Sequence, residues 1–191
     1  MDVKCVYVGD CAVGKTVTKT CMLVSYKSDK FPTEYVPTVF DNCIVDIMRD
    51  GSLIKLHLWD SAGHDSYDRL RPLGYTNTDV FIVCYSVRSP MSLENVTSKW
   101  LPEIRAHCPN TPFLVVGTQC DVRTDKSEQD RLRYTFVDRA RAEQVGAWAG
   151  ANLTMECSAK TQEGVKEVFV EAVKVGLAGM KLQSRSGCVL L

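Results

Sequence analysis

The chain has 191 residues, 45% of them hydrophobic and 24% charged, and its 23 basic and 23 acidic side chains cancel. That length buries one sizeable core as a single domain, and the balance excludes a basic protein gripping nucleic acid over its whole surface as well as an acidic, solvating, disordered chain. No apolar stretch approaches the roughly 20 residues of a membrane-spanning helix, and the start Met1-Asp2-Val3-Lys4-Cys5 lacks the basic-then-apolar pattern of a signal peptide, so the expected home of the chain is the cytosol.

Val3 to Val8 reads as a first buried strand, and Gly14 to about Tyr26 as a helix. Asn42 to Arg49 and Leu53 to Asp60, separated by Asp50-Gly51, read as an antiparallel hairpin with alternating polarity. Val80 to Val87, Phe113 to Thr118 and Thr154 to Cys157 are continuous apolar runs, as strands buried on both faces require. Between them, Met91 to Cys108, Val137 to Ala149 and Gly164 to about Leu182 carry helical periodicity, with Ser89-Pro90 as a helix start. This alternation predicts an α/β fold: a six-stranded, mostly parallel sheet flanked by helices. The nine cysteines are odd in number and show no CxxC spacing. They read as reduced thiols, mostly small buried hydrophobes, with Cys11 and Cys188 set apart.

Directly after the first strand, Gly9-Asp10-Cys11-Ala12-Val13-Gly14-Lys15-Thr16 matches G-x-x-x-x-G-K-S/T and opens a helix, the context this phosphate loop requires. The glycines permit tight turns, the amides point at phosphate oxygens, Lys15 reaches the terminal phosphates and Thr16 offers a hydroxyl to magnesium. Base choice falls to Thr118-Gln119-Cys120-Asp121 at the carboxyl end of a parallel strand. The Asp121 carboxylate can accept both N1–H and the exocyclic amine of guanine, a donor pair adenine lacks. Ser158-Ala159-Lys160 can add a backbone N–H to guanine O6. Read alone, each piece is an ordinary polar loop; their order behind a phosphate loop is what joins them. In Asp60-Ser61-Ala62-Gly63, Asp60 can hold magnesium through water and the Gly63 amide can bond the γ-phosphate, while Thr38 is the candidate second hydroxyl on the metal.

Several longer segments extend these motifs: Glu34-Tyr35-Val36-Pro37-Thr38-Val39-Phe40-Asp41-Asn42, Asp68-Arg69-Leu70-Arg71-Pro72-Leu73, Gly117-Thr118-Gln119 with Asp121, and Glu156-Cys157-Ser158-Ala159. On these the chain resembles a Rho-family small GTPase of the Rac and cell-division-control branch from Lys4 to Leu191. The resemblance implies a GTP/GDP switch with Mg2+, a GTPase domain over 1–180, a Rho-type insertion near 124–134 that is a few residues short, and a flexible tail over 181–191. It makes Phe31 to Asn42 the first switch, with Tyr35 to Asn42 the effector loop and Phe31 packed on guanine. It makes Asp60 to about Tyr75 the second switch and gives Trp59 a part in choosing the exchange factor, against the plainer reading of Trp59 as core filler. The implied partners are Rho-type effectors, exchange factors and a dissociation inhibitor, with no nucleic acid and a monomeric chain.

The departures from that pattern matter as much. Cys11 replaces a glycine of the phosphate loop, where an activating protein would insert its arginine, and His64 replaces the glutamine that orients the attacking water. Both strike hydrolysis and predict a chain that is mainly GTP-bound. Val17-Thr18-Lys19-Thr20 adds four residues before Cys21, which advances a helix by roughly 6 Å and rotates it by about 40°.

Cys188-Val189-Leu190-Leu191 forms a C-a-a-X box whose final leucine favours geranylgeranylation of Cys188. The stretch before it carries only Lys181 and Arg185, a weak second signal, so the expected location is the cytoplasmic face of membranes, internal over plasma membrane, with a cytosolic pool. Three functions stay open on sequence: a cycling GTP switch, a GTP-bound binding module that hydrolyses little, and a generic P-loop ATPase or kinase, which Asp121 and Ser158-Ala159 oppose.

Overall fold

The computed structural model of the chain describes residues 1–10, 18–28, 31, 40–49, 51–126 and 136–186. Strand β1 (Asp2–Gly9) leads through helix α1 (Thr18–Ser28) to the hairpin β2 (Phe40–Arg49) and β3 (Ser52–Ser61). There follow β4 (Val80–Ser86), the helical run α2 (Pro90–Asn95) to α3 (Leu101–His107), β5 (Phe113–Thr118), α4 (Arg139–Ala149), β6 (Leu153–Cys157) and α5 (Val165–Ser186). The six strands form one sheet in the order β2-β3-β1-β4-β5-β6, in which only β2 and β3 pair antiparallel. The expected α/β architecture is therefore present, with strand bounds within two residues of those read from sequence.

Period-2 alternation splits the core between the two faces. Val3, Cys5 and Tyr7 of β1 face a cluster with Leu56, Leu58, Phe169 and Val173. Val6 and Val8 face the other, with Phe81, Val83, Trp100, Phe113 and Val115. Every residue of β4 and β5 except Ser86 is buried, as covered parallel strands demand. Cys5, Cys84 and Cys157 belong to the first cluster, Cys21 and Cys120 are buried outside both, and Cys43 and Cys108 are half-buried; all seven are free thiols. Burial pushes the Cys21 and Cys120 thiols up to about 11, so they behave as apolar filler at neutral pH.

Two helices differ from expectation. The single helix foreseen over Met91 to Cys108 begins as predicted, with the Ser89 hydroxyl accepting the Ser92 N–H and Pro90 in the first turn. It is then interrupted by a π turn over Val96–Trp100. Pro102 supplies the reason: it has no N–H for the ladder and crowds the preceding turn, so the chain widens to i→i−5 spacing, seen in the Leu101 N–H bonding the Val96 carbonyl. The last helix runs on to Ser186, so the boundary at 180 falls within it and 181–186 is helical where a flexible tail was expected.

Because β1 lies between β3 and β4 while the chain leaves it in one direction and later returns on the other side, the crevice at its carboxyl end is the topological switch point where such sheets bind ligands. Gly9 closes β1 there with φ +152°, and a Cβ on it would lie 2.5 Å from the Cys84 carbonyl oxygen. The first glycine of the phosphate loop is thus required by close passage of β1 past β4.

Candidate nucleotide-binding site

At the carboxyl ends of β5 and β6 the expected base-reading residues come together. Thr118 is buried and its hydroxyl donates to the Tyr85 carbonyl of β4 at 3.0 Å, fixing the end of β5. Gln119 then takes the left-handed conformation (φ 65°, ψ 37°), with its Oε1 accepting the Ser86 hydroxyl at 2.6 Å. That reversal starts the 3₁₀ turn Cys120–Arg123 and points Asp121 back toward β6. The Ser158 hydroxyl donates to Asp121 Oδ1 at 2.6 Å, which orients the carboxylate while leaving acceptor positions on it.

Behind the turn, Arg123 grips Glu156 through Nη2 to Oε1 at 2.6 Å and Nε to Oε2 at 3.1 Å, and also donates to the Val137 carbonyl. Glu156 is 3% exposed, so this is a planar two-point ion pair in a low-dielectric setting, and its hydrogen bonds hold the Arg123 guanidinium above its ordinary pKa. Neither residue is singled out for a role by sequence, because their partnership joins the turn after β5 to strand β6 across 33 positions with no local signature.

A cavity of about 310 Å³ opens beside Asp121, lined also by Phe31, Thr118, Gln119, Ala159 and Lys160, with Cys21 on its inner wall. Phe31 is 38% exposed, an aromatic face left available to a planar ring. Cys21, Arg88 and Asp125 enter this lining in addition to the residues foreseen. The Ser158 amide, expected among the groups able to reach a guanine O6, instead bonds the Glu163 carbonyl at 2.8 Å, and its hydroxyl accepts the Thr161 N–H. Of that segment, Ala159 and Lys160 line the cavity.

At the phosphate end, Asp60 closes β3 in register with Tyr7 of β1 and is 1% exposed. Burial first, and then the negative charge of Asp60, raise the Cys21 thiol of α1. One buried carboxylate at this point suits magnesium, which takes one or two carboxylates and completes its shell with phosphate, hydroxyl and water oxygens. Ser61 is anchored by donation to the Tyr7 carbonyl at 2.5 Å, and Ala62 and Gly63 are buried. Bound there, Mg2+ supplies positive charge to the terminal phosphates.

His64 is exposed and its ring closes its own turn: Nδ1 accepts the Ser66 N–H at 3.2 Å and lies 2.8 Å from the Ser66 hydroxyl. An amide can bond only an unprotonated nitrogen, so the ring proton of the neutral form sits on Nε2. The segment carrying His64 is held by a fully buried arginine. Arg71 donates through Nε to the Ala62 carbonyl at 2.9 Å, through Nη2 to the His64 carbonyl at 3.3 Å and to Asp68 at 2.5 Å, and through Nη1 to Glu103 at 2.7 Å. Tyr75 adds its hydroxyl to Glu103 at 2.5 Å.

The Arg71 guanidinium also lies 4.7 Å above the Trp100 ring, whose indole N–H donates to Asp10 Oδ1 at 2.8 Å. Asn95 takes Asp10 Oδ2 at 2.7 Å. The Asp10 carboxylate is therefore bound to the helical run, and what Asp10 can offer a phosphate is its backbone. The π turn places Trp100 between the start of the phosphate loop and the second switch.

Of the remaining candidates, Phe40, Asp41 and Asn42 begin β2 opposite Ser61, Asp60 and Trp59. Trp59 is half-buried, packed against the core with the Lys4 ammonium 4.3 Å over its ring, so it is partly the core filler of the plainer reading. Cys11 to Thr16, Tyr35 to Val39 with Thr38, most of the 124–134 insertion, and Cys188 lie outside the described residues.

A first strand closing on Gly9 at the switch point, a guanine-suited carboxylate after β5 and a buried acid near the end of β3 together describe one kind of site. A model of the Ras family matches residues 4–177. The chain belongs to the Ras family and is a GTP-binding small GTPase.

Proposed function

We propose that this chain is a Rho-type switch that binds GTP, hydrolyses it slowly, and dwells in the GTP form to engage effectors through Val36 to Asn42. The observation that carries the reading is the pairing of Cys11 with His64. Glutamine presents an amide that both accepts from and donates to the attacking water; an imidazole has one donor and one acceptor on a rigid ring. Here the acceptor Nδ1 is engaged by Ser66, which leaves only an N–H for the water. A donor cannot accept the water's proton or align its lone pair toward phosphorus as an acceptor does. At position 11, a thiol side chain stands where an activating arginine, worth roughly 10³ to 10⁵ in rate, would enter.

Base selection rests on Asp121, phosphate retention on Lys15 and the loop amides, and magnesium on Thr16, Thr38 and, through water, Asp60. Geranylgeranylation of Cys188 brings the chain to the cytoplasmic face of membranes, with exchange factors, Rho-type effectors and a dissociation inhibitor as partners. Chromatography of nucleotide extracted from freshly purified protein should give mainly GTP. The double reversion Cys11→Gly with His64→Gln should raise single-turnover hydrolysis. Wild type that already hydrolyses as fast as the revertant, with or without an activating protein, marks an ordinary cycling switch instead.

A further inference from the structure

The four residues before Cys21 repeat the four that precede them. Val13-Gly14-Lys15-Thr16 is followed at once by Val17-Thr18-Lys19-Thr20, so the Lys-Thr pair of the phosphate loop occurs twice, with threonine in place of glycine in the second copy. The first copy keeps the motif's spacing from Gly9, where β1 ends. The second stands directly before Cys21, the place the pair takes in the Rho-type pattern that lacks the extra residues. One copy is thus in register with the strand and the other with the helix.

From Cys21 onward, α1 is tied to the base end of the site. The Ser25 hydroxyl donates to the Ala159 carbonyl at 3.1 Å, the Met22 and Cys157 sulfurs lie 3.4 Å apart, and the ring centroids of Tyr26 and Phe169 are 4.0 Å apart. Cys21 and Met22 line the same cavity as Asp121 and Phe31. Helix α1 begins at Thr18, so Lys19 and Thr20 belong to its first turn and adjoin a residue of the cavity wall. That turn holds no acidic residue. Helix starts favour Asp and Glu because the macrodipole is positive there, and a lysine in the first turn works against it unless an anion is bound. The first amides of a helix, which have no intrahelical acceptor, are the groups that take a phosphate. Reaching the second copy from Gly9 lengthens the loop by four residues, and the cost of closing a loop grows only with the logarithm of its length.

We propose, on the basis that the chain binds GTP, that Lys19 and Thr20 are a second phosphate- and magnesium-binding pair: Lys19 shares the terminal phosphates with Lys15, and Thr20 is a further hydroxyl for Mg2+ beside Thr16. A nucleoside triphosphate carries more negative charge than one magnesium ion and one lysine neutralise, so the second lysine is not redundant. The γ-phosphate adds to that charge, so the second pair favours retention of GTP over GDP.

The test follows release of mant-GTP from the full chain in excess Mg2+ and again in EDTA. Lys19→Ala should quicken release in Mg2+ about 10- to 100-fold, the span expected for one hydrogen bond to a charged group, and Lys19→Arg should recover part of it because the charge returns. Thr20→Ala should shrink the ratio of release in EDTA to release in Mg2+, and Thr20→Ser should restore it because the hydroxyl returns. Lys15→Ala alone should still be purified with guanine nucleotide, whereas Lys15→Ala with Lys19→Ala should not. Wild-type release from Lys19→Ala, an unchanged Mg2+ ratio in Thr20→Ala, Lys19→Arg as fast as Lys19→Ala, or loss of all nucleotide from Lys15→Ala alone would each overturn the proposal while leaving GTP binding by the chain intact. A wild type that carries no guanine nucleotide and takes up no mant-GTP would instead remove GTP binding itself, and this proposal with it.

Discussion

The two ends of the nucleotide site are held in different ways. At the base end, Asp121 is oriented by Ser158, Gln119 by Ser86, and Arg123 by Glu156, all from the ends of neighbouring parallel strands. At the phosphate end, the segment with Ala62 and His64 is held from outside the sheet by Arg71, which depends on Glu103 and Trp100 of the helical run. A pocket built on strand ends inherits the rigidity of the sheet. A switch held by a side-chain clamp can exchange one set of partners for another, because breaking the clamp leaves every strand in place.

The largest break in this comparison is expected from Arg71→Ala. The guanidinium is fully buried and serves two carbonyls and two carboxylates, so its removal leaves Glu103 beside Tyr75 without its cation and two carbonyls without donors. Removing one partner of such a buried pair costs about 3–5 kcal/mol. Urea unfolding at a fixed excess of nucleotide reads this directly. A loss below about 1 kcal/mol would show that the clamp is replaced by water and that the two ends do not differ as described.

Asp121→Asn breaks the other end without disturbing the fold. The variant keeps the shape and can still accept the Ser158 hydroxyl through its amide oxygen, but it lacks the charge for guanine N1–H and the exocyclic amine. Hydrogen bonds to a charged group are worth about 1.5–3 kcal/mol, so preference for GTP over ATP in competition should fall roughly 10- to 100-fold. Unchanged selectivity would remove Asp121 from base recognition.

How much of this was readable beforehand follows from the range of the interactions. The strands, the hairpin about Gly51, the Ser89 cap and the order of the motifs are local patterns, and they appear where sequence places them. The π turn was not foreseen, since Met91 to Cys108 is periodic throughout and only Pro102 warns of a wider turn. Arg71 stood inside a quoted motif, yet its role depends on Glu103, 32 positions on, and Asp10 depends on Trp100, 90 positions on. Such pairs leave no spacing to read. Ser158 shows the converse: the right segment was named, but the fold uses that amide for Glu163.

Trp100→Phe sharpens the comparison by a smaller step. Phenylalanine keeps an aromatic face beneath Arg71 but removes the indole N–H from Asp10 Oδ1, while Asn95 still holds Oδ2. One hydrogen bond to a carboxylate is lost, so nucleotide release should quicken by about tenfold, at the lower end of the 1.5–3 kcal/mol range. GTP-over-ATP preference should stay as in wild type, because Asp121 and its supports are untouched. Mant-GDP release and nucleotide competition separate the two readouts. A shift in base preference would mean that the two ends are coupled more tightly than their separate supports imply.

The smallest effect belongs to the rim of the second switch, where Asp65 meets Lys99, which also lies 4.8 Å over the Trp100 ring. The Lys99 hydrogen bond, then its charge, hold the Asp65 carboxyl below its ordinary value of 3.8. A carboxyl lowered on folding contributes stability that is fully present above the ordinary value and is lost as pH falls through the folded-state one. Asp65 is fully exposed, so water and salt screen the pair and its effect on unfolding should be slight at neutral pH and weaker still in high salt. A side-chain carboxyl NMR titration should place the Asp65 midpoint below 3.8 in wild type and return it toward that value in Lys99→Met. A wild-type midpoint at or above 3.8 would show that the exposed rim is not held by this pair, leaving Arg71 as the anchor of the segment.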